Sequence, residues 1–254
     1  MFIRERGLIF MPYELLLIVI IILIGSFIQG VSGFGFGLFA MGFLPLFFTV
    51  KESALFVMSL AVVVSACIIA RNYKHIVLKA VLILLGASLA GRVISFFILN
   101  AFGEMDVMKK LLGLFLIAMV IYLFFNKKEP SEAMMKRPII PLIFGFFGGF
   151  IGGIFAVGGP FFVFYFLLVF KDKYKYSANL QAVFFVNNAF SLMLHGFNGD
   201  FNSEFLLYFL VGVVTVVIGS NIGMKMFDKL PRETIKKFAM YVVLVAGLNL
   251  IIFS

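Results

Sequence analysis

Long uncharged stretches alternate with short charged ones along the chain, and their lengths set the first expectations. Runs 53–70, 176–199, 205–224 and 238–254 contain no Asp, Glu, Lys or Arg. Each is near the ~20 residues that one helix needs to cross a bilayer. Two other runs, 15–50 and 138–170, stay uncharged for far longer. As one straight helix, 15–50 would extend roughly 54 Å, against a hydrocarbon core of about 30 Å. Each long run must tilt steeply, break or double back. Gly30, Gly33, Gly35 and Gly37 interrupt the first, and Gly152, Gly153, Gly158 and Gly159, followed by Pro160, interrupt the second. Glycine disfavours a helix interior by about 1 kcal/mol, while proline suits the first turn of a new helix. The pattern predicts two helix hairpins, 13–32 with 35–49 and 139–155 with 159–170. The last arm, about 18 Å long, reads as re-entrant. Further helices are expected near 53–71, 76–99, 107–126, 176–196, 204–226 and 233–253.

The two glycine blocks repeat one another. SFIQGVSGFGFG at 26–37 and GFIGGIFAVGGP at 149–160 align at an offset of 123, matching Phe27-Ile28 with Phe150-Ile151, Gly30 with Gly153, and Gly35 with Gly158. The small Gly33 falls on the small Ala156. Residues 105–126 resemble 232–253, with Lys109-Lys110 over Lys236-Lys237, and ASLAG at 87–91 resembles GSNIG at 219–223. Three matches in one order predict an internal repeat: an N-terminal unit 1–126, a cytoplasmic linker 127–137 rich in Lys and Glu, and a C-terminal unit 138–254. Each unit is a hairpin followed by three spans. The expected fold class is an all-α polytopic membrane protein of two inverted repeats.

Composition agrees: 63% of residues are hydrophobic, only 13% are charged, and 36 are Phe, where a soluble domain is about 25% charged. The net charge of +9 does not indicate nucleic acid, because the Lys and Arg lie in short patches between apolar runs. Basic loops occur at Arg71, Lys74 and Lys79; at Lys127, Lys128, Lys136 and Arg137; at Lys171, Lys173 and Lys175; and from Lys225 to Lys237. The loops near 100–106 and 197–204 carry Glu104, Asp106, Asp200 and Glu204 instead. The positive-inside rule places the basic loops in the cytoplasm. All four fit only if each glycine hairpin leaves and returns on one side, which inverts one half relative to the other and puts the C-terminus outside. Arg4 and Arg6 then lie outside, against the rule. The first apolar run continues past Gly30 to Val50 with no cleavage site after a short core, so it does not read as a secretory signal.

A broken helix inside the membrane leaves backbone N–H and C=O groups without helical partners, and these must face protein or water. The second arm of each hairpin begins at the break, so its positive N-terminal end and free N–H groups point into the membrane. Two such ends make a site for a small anion. Glycines also serve close helix packing, but packing alone does not explain clusters that recur inside double-length runs. The candidate substrate-binding residues are Gln29, Ser32, Gly33, Gly35 and Gly37 from the first block, Ala156, Gly158 and Gly159 from the second, and Asn187, Asn188 and Arg92. Asn187 and Asn188 sit mid-helix, where they serve either the site or helix–helix hydrogen bonds. Arg92 either faces the cavity or snorkels to the interface. No carboxylate falls mid-membrane, which argues against a buried proton relay of acids and against a divalent cation site. The single Cys67 and the separated His75 and His195 supply no metal or redox motif. No catalytic residue, metal or cofactor is expected, and the protein does not read as an enzyme.

The block GFIQG-like then SGFGFG near the start, GGIFAVGGP mid-chain, and the basic central loop resemble the sulfite exporter TauE/SafE family across essentially the whole chain. Ala156 departs from the glycine common in the family's second motif. The resemblance implies a prokaryotic inner-membrane protein of two inverted repeats that exports sulfite, organosulfonates or related small anions. Gln29 and Asn187 fit polar places of that family's substrate site. The expected partners are a small anionic substrate, the lipid bilayer and a second copy of the chain in a homodimer, with no nucleic acid. The alternative is a membrane scaffold or sensor whose repeats only pack.

Overall fold

The computed structural model describes residues 12–125, 139–201, 203–227, 229, 241, 244–245 and 247–252. Arg4 and Arg6, the stretch 127–137, most of the expected helix 233–253 and the chain terminus lie outside them. The described residues are helical and contain no strand. In chain order they form α1 (Pro12–Ser32), α2 (Phe36–Phe43), α3 (Val50–Asn72), α4 (Leu78–Phe102), α5 (Asp106–Phe125), α6 (Ile139–Phe155), α7 (Gly159–Val169), α8 (Lys173–Phe197) and α9 (Ser203–Met226). Among them, five spans are long and apolar enough to cross a membrane: Glu14–Ser32, Val50–His75, Leu78–Phe102, Lys173–Phe197 and Tyr208–Met226. The protein is an all-α polytopic membrane protein.

Both double-length runs break where the glycines lie, giving α1–α2 and α6–α7. The inner arms are short: α2 has 8 residues and α7 has 11, roughly 12 and 16 Å. Neither can cross the bilayer. The arm expected at 35–49 is shorter than that range, because a 3₁₀ turn at Leu44–Leu46, with Pro45 inside it, follows α2. Two helices start earlier than expected, for one physical reason. The α3 helix begins at Val50 because Thr49 and Glu52 form a capping box: the Thr49 hydroxyl accepts from Glu52 N at 3.1 Å, and Glu52 accepts from Thr49 N at 2.9 Å. The α8 helix begins at Lys173 because the Asp172 carboxylate accepts from Lys175 N at 2.7 Å. In both places charged residues that look like loop belong to a capped first turn.

The most intimate pairs are α4 with α6 and α1 with α9. Each joins a hairpin arm of one half to a helix of the other. The α3 helix packs on α8, α3 also meets α9, and α4 also meets α8. Exchanging the halves maps every one of these pairs onto another or onto itself. The interlocks are made by small residues. A Cβ on Gly30 of α1 would meet Ser220 O of α9 at 2.5 Å and Gly223 Cα at 3.0 Å, and a Cβ on Gly223 would meet Gly30 Cα at 2.9 Å. In the other pair, Gly149 of α6 lies against Ser88 of α4, and a Cβ on Gly91 of α4 would meet Phe150 N at 2.6 Å. The short matches ASLAG and GSNIG therefore fall on the two crossings, where small residues let helix backbones touch.

Charge separates along the molecule. At one end, Arg71 donates to Asn221 at 2.8 Å, Asn179 donates to His75 O at 3.1 Å, and the Tyr174 ring meets those of His75 and Phe227. This end gathers the basic loops near 71–79, 171–175 and 225. At the other, Lys51 N donates to Gly103 O at 3.0 Å and Lys51 Nζ to Asp200 at 2.8 Å, which gathers the loops bearing Glu104, Asp106 and Asp200. Large apolar side chains of α4, among them Leu78, Leu82, Ile83, Ile94 and Phe97, are exposed, as a lipid-facing surface requires.

The crossings give a contrast that tests the packing. Gly30→Val drives a branched side chain into the α9 backbone and lowers stability by about 1–3 kcal/mol or more. Gly86→Ala, in α4 with nothing within 4 Å of the added Cβ, is neutral or stabilises by up to about 1 kcal/mol. Thermal melts of the two purified variants in detergent read the difference.

Candidate functional site

The two breaks share a backbone geometry. Gly33 ends α1 with φ +82° and Ala156 ends α6 with φ +55°, at the equivalent positions of the repeat. In both, the amide completes a last helical turn, Gly33 N to Gln29 O at 2.8 Å and Ala156 N to Gly152 O at 3.0 Å. The left-handed conformation then turns the chain back. For Ala156 it carries a steric penalty of about 1–2 kcal/mol, so the departure from glycine leaves the break in place. The inner helices start on Gly35, itself at φ +112°, and on Gly158. No side chain caps either start. Their first-turn N–H groups have no intrahelical acceptors, and the positive ends of both helices face inward between the halves.

A cavity lies between these two starts. Its walls include Gln29, Gly35, Gly37, Ala156, Gly158 and Gly159 from the breaks, and Arg92 and Asn188. Phe162, Phe184, Met58 and Val57 supply an apolar side. Its empty volume, open side included, is about 460 Å³. Met58 and Ala61 fall midway along α3, and Phe184 and Asn188 midway along α8, so the cavity sits at half the height of the spans.

Arg92 is 3% exposed and does not snorkel. Its Nη2 donates to Asn188 Oδ1 at 3.1 Å, its Nη1 to Ser191 Oγ at 3.0 Å and to Met58 Sδ at 3.6 Å, and its Nε has no partner. All these acceptors are neutral, and among the described residues the guanidinium has no ion pair. Glycines of α6 make room for it: a Cβ on Gly152 would lie 3.0 Å from Arg92 Nη2, and one on Gly153 3.2 Å from Arg92 Cδ. A positive charge at the centre of a spanning helix costs about 2.5–3.5 kcal/mol, so this placement demands an anionic partner or a function. Lys225, its near-counterpart in the repeat, is exposed at the end of α9.

Of the expected site residues, Gln29, Gly35, Gly37, Arg92, Ala156, Gly158, Gly159 and Asn188 come together at this cavity. Ser32, Gly33 and Asn187 do not line it. The Ser32 hydroxyl donates to Ile28 O and Phe34 O, which holds the first break. Gly33 is the pivot of that break, and its carbonyl accepts from Gln181 Nε2 at 2.6 Å. Asn187 is fully buried, donates to Val183 O at 2.9 Å, and leaves its Oδ1 unpartnered. Gln181, which is not among the expected site residues, is a fully buried amide of α8. Its Oε1 accepts from Gln29 at 2.9 Å and from Ser65 at 3.0 Å, so it ties the cavity wall to the break. The apolar wall carried no signal, since Phe162 or Met58 inside an apolar helix reads like any lipid-facing residue.

A polytopic helical membrane protein with a buried cationic cavity between two broken helices has the architecture of a solute transporter. Residues 17–250 match the sequence profile of the family described as Sulfite exporter TauE/SafE. The chain belongs to that family, which is one of exporters and not of enzymes. The probable sulfite/organosulfonate exporter TauE of Cupriavidus necator is 25% identical over 237 residues, covering 90% of each chain. No solved structure matches the chain at comparable significance.

Ala156 offers a test of the break geometry. Ala156→Gly removes the steric penalty and keeps the melting temperature at or slightly above that of the parent protein. Ala156→Val, β-branched in a left-handed conformation, lowers it and reduces whatever ligand response the parent shows.

Proposed function

We propose that the protein is a secondary transporter that carries a small anion through the cavity between its two hairpins. Sulfite, an organosulfonate or a related sulfur-containing organic anion is the substrate, and export is the direction. The observation that carries this reading is Arg92, buried without an ion pair among the described residues and flanked by two uncapped helix N-termini. Three positive groups converge on one point midway along the spans, where a dielectric below that of water strengthens their attraction for an anion and their repulsion of a cation. Gln29 and Asn188 add neutral polar groups, and the apolar wall fits a short carbon chain. A scaffold whose repeats only pack has no use for such a charge.

The same reading orients the chain in an inner membrane of a prokaryote. The pairing that survives exchange of the halves, and the collection of basic loops at one end, support two inverted repeats with 127–137 in the cytoplasm. A reporter fused after Ser254 should be active outside. Activity there only in the cytoplasmic form overturns the inverted topology.

The substrate class is read by purified protein challenged with sulfite, sulfoacetate, taurine and dicarboxylates, with thermal stabilisation as the binding signal and proteoliposome flux as the transport signal. At least one anion should raise the melting temperature. Arg92→Gln should weaken that binding by about tenfold or more, as loss of a charge-assisted hydrogen bond does. Stabilisation by an organic cation with indifference to every anion tried would sink the anion reading.

The glycine breaks call for a carefully chosen variant. A Cβ on Gly158 would run into Gly148 O of α6, so Gly158→Val perturbs the fold as well as the site. A Cβ on Gly159 meets only the Phe184 ring, at 3.5 Å. Gly159→Val should therefore insert and melt normally yet lose most transport, because its side chain enters the cavity beside the uncapped start of α7. Normal flux through this variant is incompatible with substrate passage at the α7 start.

A further inference from the structure

The cavity accounts for Arg92, Asn188 and Ser191 but leaves a second buried cluster unused, one helical turn away. His195 lies on the same stripe of α8 as Gln181 and Asn188, each seven positions apart. It is 1% exposed. Its Nδ1 faces Asp200 Oδ2 at 2.5 Å, and the Phe96 ring, one turn from Arg92 on α4, stacks edge-on against its imidazole at 4.8 Å. The other oxygen of Asp200 accepts from Lys51 Nζ at 2.8 Å and from Asn198 at 2.9 Å. Lys51 also donates to Asn100 at 2.6 Å. The cluster thus links the start of α3, the end of α4 and the α8–α9 turn, and so bridges the two halves at the end of the molecule that bears the acidic loops.

We propose that His195 is the proton-binding group that couples anion movement to proton movement, so that the anion travels together with a proton. This rests on the reading of the cavity as an anion site. The step is a simple protonation. Asp200 accepts the Nδ1–H, which leaves Nε2 to take the proton, and neutral imidazole becomes imidazolium with no other bond made or broken. The charged groups facing the ring are Asp200 on its own side, Lys51 from α3 and Arg92 from α4. With His195 neutral, these three sum to one positive charge, and protonation makes it two. An anion in the cavity offsets that repulsion, so anion and proton each favour the other's binding. Asp200 itself stays a carboxylate. Burial works to raise its pKa, but the hydrogen bonds from Lys51, His195 and Asn198 outweigh this and hold it below its ordinary value. Its share of stability is therefore present at neutral pH and lost only as the pH falls through that lowered value. Of this pair, the imidazole is the group whose unperturbed titration lies closest to neutrality.

Sulfoacetate is a suitable probe, because both its acid groups stay ionised between about pH 6 and about pH 8. In the wild-type protein, sulfoacetate binding read by thermal shift should be about tenfold tighter at the lower pH, and His195→Gln should bind with no pH slope. In proteoliposomes holding a pH dye, sulfoacetate entry through the wild type should acidify the lumen, and entry through His195→Gln should not. A wild-type protein that binds or carries the anion without a pH slope and without proton uptake overturns the proposal, as does a His195→Gln variant that keeps both. Should that variant fail to fold, Lys51→Gln decides, since loss of a neighbouring positive charge must move the midpoint of the pH profile upward. An unmoved midpoint overturns the assignment. Failure of the cavity reading looks different, with no response to sulfite, sulfoacetate, taurine or dicarboxylates at any pH.

Discussion

Inside hydrocarbon a polypeptide has to satisfy its own backbone hydrogen bonds, and among the described residues the two hairpin breaks interrupt, inside apolar runs, the helical pattern that does so. There the helix stops, a left-handed residue turns the chain, and a short helix begins with no side-chain cap. Everything else around the cavity follows from protecting those two starts from lipid. They are enclosed between α3 and α8. The glycines that permit the breaks also permit the close approach of backbones: a Cβ on Gly37 would run into the Ala156 carbonyl. A buried arginine is tolerable in such a setting only beside helix ends and amides arranged to share a ligand.

The fold was legible because bilayer thickness turns length into structure. Runs too long for one helix and glycine clusters within them located both breaks to within a residue or two; 139–155 with 159–170 became Ile139–Phe155 with Gly159–Val169, whereas the arm 35–49 stopped at Phe43. Where the reading slipped, charge misled it. Lys51 and Glu52, or Lys173 and Lys175, look like loop residues beside an apolar run, yet caps from Thr49 and Asp172 draw them into a helix.

The site was legible in its backbone and in part of its polar lining. Gly35, Gly158 and Arg92 announced themselves as residues disfavoured in a spanning helix. Whether Arg92 pointed inward was not legible, because that depends on which face of α4 meets Gly152 and Gly153 of α6. Asn187 and Asn188 show the same limit. Adjacent residues on a helix point about 100° apart, and only packing decides that Asn188 meets Arg92 while Asn187 turns back to Val183. The link from Asp200 to Lys51 joins residues 149 positions apart in the chain, and no spacing rule reaches across that distance.

The pairing of α1 with α9 and of α4 with α6 separates two notions of a unit. The two aligned glycine blocks mark units of sequence. The bodies that hold together through glycine contacts are mixed, each taking its hairpin arm from one half and its partner helix from the other. Relative movement across the cavity therefore cannot take place as one repeat sliding past the other without prying apart backbones in van der Waals contact. The looser packing runs between the crossed pairs and the central α3–α8 couple, so each tightly packed pair draws its helices from both parts of the sequence. Severing the chain between its halves would leave two fragments, each lacking the surface against which its own hairpin is folded.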